Sequence, residues 1–153
     1  MPIKSSRVEA DIILQSLSEI IMRNKFGGFQ ISDITKAVDP NAATLFSDIS
    51  GKGYLYSSMK FCMATASQYS DYGRAIVDGI TSDTPSLYHL LLFNSINGFM
   101  QGFPYLTCYN ETSFLYGLAW PASITIETSH QHYWVETQGN SPTVRVGLLY
   151  TVI

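Results

Sequence analysis

Only six charged side chains, Asp78, Asp83, Glu111, Glu127, Glu136 and Arg145, serve the last 79 residues of this chain. The remaining charges all lie in residues 1–74, and the chain as a whole is 14% charged, against about 25% in an ordinary soluble domain. A half so poor in charge does not make a normal solvated surface. It must be wrapped by the other half or meet partner protein, with Ser, Thr, Asn, Gln and Tyr as its remaining means of facing water. Apolar residues at 46% and aromatics at 13% exclude a disordered chain. A length of 153 residues suits one domain with a substantial core.

The net charge of −3 and the lack of any basic run argue against nucleic acid as a partner. Met1-Pro2-Ile3-Lys4 leads into a charged stretch and not an apolar signal core, and no run is long enough to span a membrane. The expected location is the cytoplasm or a virion. Cys62 and Cys108 are too few for a disulfide framework or a zinc site and read as free thiols.

Periodicity predicts helices first and strands after. A helix opens at Ser6, with Glu9 completing a capping box, carries Val8, Ile12, Ile13, Leu17, Ile20 and Ile21 on one face, and stops at Gly27-Gly28. Short helical pieces are expected around Ser32 to Val38 and after Asp39-Pro40, closing at Gly51-Lys52-Gly53. A longer helix is expected from about Ser58 to Ile80, because Met59, Cys62, Met63, Ala66, Tyr69, Gly73, Ile76, Val77 and Ile80 share a stripe. Thr84-Pro85 predicts the start of a buried central helix over Leu87 to Phe99. From Pro104 the pattern alternates, predicting strands at Tyr105–Tyr109, Ser113–Ala119, Ala122–Thr128, Gln131–Glu136 and Thr143–Val152, joined as an antiparallel meander. The expected fold is a single α+β domain over residues 1–153, with N-terminal helices (about 6–102) packed on a C-terminal antiparallel sheet (about 105–153).

The one run suggesting chemistry is His130-Gln131-His132-Tyr133-Trp134-Val135-Glu136. Residues two apart on a strand face the same way, so both imidazoles project together and could grip one metal ion. The H-x-H-x-x-x-E spacing resembles the first half of the cupin metal motif, which implies a divalent ion held by His130, His132 and Glu136. Two departures stand against it: Ile124 occupies the place of the motif's glycine, and no histidine follows Glu136. On a straight strand Glu136 would also lie about 13 Å from His132. His89, within an apolar run, reads as a core histidine; no serine sits in a nucleophile elbow, no glycine-rich phosphate loop occurs, and the carboxylates are scattered singly.

With no catalytic constellation and no cofactor implied, the expectation is a non-catalytic structural or assembly subunit. It would form a homo-oligomer or part of a larger assembly of the virion, phage-tail or secretion type through its charge-poor C-terminal half, with Trp134, Arg145 and Tyr150 as interface candidates. The alternatives are a small-molecule binding module with an aromatic pocket, and a metal-dependent enzyme using His130 and His132.

Overall fold

The structure, a computed structural model, describes residues 30–97, 104–120 and 124–152. It corrects the α+β expectation: the described chain is mostly strand, with one short helix. Ten strands form: β1 (Gln30–Ala37), β2 (Ala43–Ser50), β3 (Gly53–Met63), β4 (Tyr72–Val77), β5 (Ile80–Asp83), β6 (Tyr105–Asn110), β7 (Leu115–Trp120), β8 (Ile124–Ile126), β9 (Ser129–Val135) and β10 (Thr143–Val152). One helix, α1 (Leu87–Asn97), separates β5 from β6. The helix expected from Ser6 lies outside the described residues.

Two antiparallel sheets result, one ordered β1-β10-β3-β7-β6 with β8 also on β3, the other β2-β9-β4-β5. The pairings β1/β10, β2/β9, β3 with β7 and β8, and β4/β5 are those of one long antiparallel hairpin rolled up on itself. That is the jelly roll. The C-terminal strands therefore do not make the expected meander, because β9 crosses to the second sheet while β6, β7, β8 and β10 stay in the first.

The expected Ser58–Ile80 helix is instead β3, a loop, β4 and the turn into β5. Its misleading stripe has a physical cause. Along β3 the buried positions are Gly53, Leu55, Ser58, Lys60 and Cys62, and along β4 Gly73 and Ala75, so small or polar residues mostly stand where period-2 apolar residues would have announced a strand. The expected helical pieces at Ser32–Val38 and after Asp39-Pro40 are β1, a turn and β2.

The helix at Leu87 does form, but at the periphery: Leu87 and Leu90 are buried, whereas Tyr88, His89 and Leu92 are exposed. Its cap is Ser86, whose Oγ accepts from the His89 N–H at 3.4 Å. Thr84 serves β4, its Oγ1 accepting from the Gly73 N–H at 3.0 Å. Between the sheets lies the core of Val38, Phe46, Leu55, Cys62, Leu87, Tyr116, Ile126, Trp134, Val144, Val146 and Leu148. No described helix is long and apolar enough to cross a membrane.

Candidate functional site

The strand β9 alternates as expected and turns His130, His132 and Trp134 into the sandwich. The two imidazoles lie edge to face with centroids 5.4 Å apart, and the Tyr150 ring approaches His130 to 5.6 Å. None of the four ring nitrogens meets a protein hydrogen-bond partner among the described residues. Opposite them, from β3, comes Lys60, fully buried, its Nζ reaching the Arg74 carbonyl at 3.4 Å. Burial pushes the Lys60 ammonium down to about 7, only partly countered by Asp83. The same desolvation lowers both histidines, His132 further through the nearby Lys60 charge. The interior thus gathers three bases, each shifted by burial toward its neutral form.

Glu136 does not join them. Its carboxylate accepts backbone N–H groups from Asn41 at 2.6 Å, Gln138 at 2.8 Å, and Gly139 and Asn140 at 3.0 Å each. Burial alone would raise its pKa, and these four donors outweigh that and hold it low. The carboxylate is thereby the hub of the turns that flank β9. No three His, Cys, Asp or Glu side chains among the described residues gather to hold a metal, so the fit to a His130, His132 and Glu136 site fails on the carboxylate, although cupins share the jelly roll. Trp134 is wholly buried and donates from Nε1 to Asp71 Oδ2 at 2.9 Å. His89 is exposed and bonded to Ser86, and Cys62 is buried, its thiol pushed up chiefly by desolvation.

The other face of the first sheet is different in kind. Ile31 of β1, Leu149 of β10, and Met59 and Phe61 of β3 line an open groove of about 510 Å³ whose floor is Gly147. Register places Ile31 opposite Leu149, Gly147 opposite Met59, and Arg145 opposite Phe61. Ile31 is 78% exposed and Met59 56%. A solvated antiparallel face ordinarily carries polar side chains, and this apolar patch departs from that rule. Arg145 and Asp33 flank it, paired at 2.5 Å and 2.8 Å.

No protein-family model matches the sequence, and a search of curated proteins returns no match. The site must speak from its own geometry. Of the residues singled out from sequence, Arg145 stands on the groove, Tyr150 contacts buried His130, and Trp134 is core. Lys60, Ile31, Met59, Phe61 and Gly147 were not singled out. The signal for the groove was there: Met59, Phe61 and Met63 alternate along β3 just as the inward set does.

Proposed function

We propose that this chain is a non-catalytic assembly subunit, and that it associates with copies of itself through the outer face of its first sheet. The apolar groove between β1, β10 and β3 carries the reading. A two-fold interface must be self-complementary, and this face holds both partners of a charge pair, Arg145 and Asp33, beside one apolar patch. Five strands about 4.8 Å apart and about eight residues long span roughly 650 Å², close to the ~800 Å² each partner surrenders in a stable dimer. Gly147 fits the same account: a Cβ there would meet nothing within 4 Å, so the position leaves the groove open without being required by the fold. The interior base cluster, by contrast, is sealed from solvent and supports no reaction with an external substrate.

Sedimentation at micromolar concentration tests this. The chain should run as a discrete oligomer, and Met59→Lys and Gly147→Gln should each dissociate it while leaving the unfolding midpoint within a few degrees. A wild-type monomer that stays monomeric on concentration would sink the proposal. So would oligomers indifferent to both substitutions.

A further inference from the structure

The loop after β3, the first turn of α1 and the β6–β7 turn meet around an open hollow of about 340 Å³ lined by Ser67, Tyr69, Tyr88, Tyr109 and Glu111. Tyr69 and Tyr88 stand nearly perpendicular, centroids 6.5 Å apart at 81°, and make a corner of two ring walls. Tyr109 supplies a third wall and is itself braced edge-on by Tyr116 at 5.3 Å. Despite their size, Tyr69 is 49% exposed and Tyr88 45%, so these aromatic faces look into open space.

The walls are held in place before any ligand arrives. Tyr88 N–H donates to the Tyr69 carbonyl and Leu87 N–H to the Asp71 carbonyl, both at 2.9 Å, which ties the loop to the helix start. Asn110 Oδ1 accepts from Thr112 N–H at 2.9 Å and Ser113 N–H at 3.0 Å, fixing the turn that carries Glu111. Little ordering remains to be done on binding.

The Glu111 carboxylate sits among hydroxyls, Ser67 Oγ donating at 2.7 Å and the Tyr109 and Tyr116 hydroxyls also bonding to it. Burial would raise its pKa, but these bonds outweigh burial and hold it lowered, so the group is an anion at neutral pH. The charge has no counter-ion among the described residues, whose ion pairs lie at Lys52–Glu127, Arg74–Asp83 and Arg145–Asp33.

Three aromatic walls around a carboxylate with no counter-ion among the described residues select for a particular chemistry. A sugar would ask for several free hydrogen-bonding groups, and the carboxylate's are already engaged. A primary ammonium would give up the water acceptors of its three N–H donors, and the engaged carboxylate could not replace them. A quaternary ammonium asks only for π faces and negative charge. We propose that this hollow binds a compact trimethylammonium compound of the choline kind, its methyl groups against Tyr69, Tyr88 and Tyr109 and its charge facing Glu111.

The test is titration of the chain with choline and with tetramethylammonium, followed by NMR of the tyrosine rings, against 3,3-dimethylbutan-1-ol, which has choline's shape without its charge. Both cations should shift the tyrosine resonances saturably, and choline should bind at least about tenfold tighter than the alcohol. Tyr88→Leu and Glu111→Gln should each weaken choline at least about fivefold. Tyr88 is half exposed, so Tyr88→Leu reports on binding even if Glu111→Gln loosens its turn. Equal affinity for choline and the alcohol, shifts that sodium chloride reproduces, or undiminished choline affinity in Tyr88→Leu would overturn the proposal.

Discussion

The Lys60 ammonium, with one long hydrogen bond and two unbonded imidazoles for company, makes stability depend on pH in a definite direction. Its folded pKa of about 7 lies below the ordinary 10.5, so between those values the unfolded chain binds more protons and stability rises with pH. His130 and His132 are also lowered from 6.5 and act in the same sense, costing stability as pH falls below about that value. The groups acting on the cluster, Asp83 on Lys60 and Asp78 and Asp48 on His130, are carboxylates that partly offset this. Asp71, raised by desolvation from 3.8 to about 6, opposes it only in that lower window. The urea midpoint should therefore climb from about pH 7 to about 10 in the wild type, and Lys60→Met should abolish that climb. At pH 7 the variant should be more stable by on the order of 2–4 kcal/mol. A flat wild-type profile over this range would refute the buried-base description. Glu136 works oppositely: Glu136→Gln turns an amide N–H₂ toward backbone donors and should cost about 2–4 kcal/mol by thermal or urea unfolding.

At the scale of elements, turns decide how the strands are paired. Asp78 (φ 50°) and Gly79 (φ 81°) both take positive φ between β4 and β5, the two-residue hairpin geometry that Asp-Gly favours. Asp78 then reaches across to accept the N–H groups of Glu127, Thr128 and Ser129, bonds that hold its pKa down at about 2 and pin the β8–β9 turn to the β4–β5 hairpin. Since nothing lies within 4 Å of a Gly79 Cβ, Gly79→Ala should cost only backbone strain, about 1 kcal/mol. Gly53→Ala is another matter: its Cβ would fall 1.9 Å from the Thr151 carbonyl oxygen, and the variant should fail to fold to the native midpoint. The strands after Pro104 were legible because Val144, Val146 and Leu148 alternate cleanly with Arg145 and Gly147. Those before it were not, because Ser58, Lys60, Gly73 and Ala75 occupy inward positions and leave a chance helical stripe as the louder signal. The Asp78-Gly79 dipeptide was the available correction. Of the suggested metal site, the shared orientation of His130 and His132 was legible, but the use of Glu136 as a turn hub depends on Asn41, 95 residues away, which no local pattern reveals.

For the whole molecule, the charge deficit has an explanation that the sheet order supplies. Each of the six charges in the C-terminal half is engaged: Asp83 with Arg74, Glu127 with Lys52, Arg145 with Asp33, Asp78 and Glu136 with backbone N–H groups, and Glu111 with hydroxyls. Much of that half is sealed by rolling, since β7, β9 and β10 interleave with β2, β3 and β4. On the first sheet, Ile31 of β1 and Met59 and Met63 of β3 remain exposed, and both strands come from the N-terminal half. Met59 reports on that surface directly. The residue is 56% exposed in the single chain, and its thioether should oxidise readily there. Peptide mapping after a brief peroxide pulse, at high and at low protein concentration, measures whether a second copy covers it. Met59 should be protected when concentrated and oxidise quickly on dilution, whereas a rate independent of concentration would contradict self-association through this face.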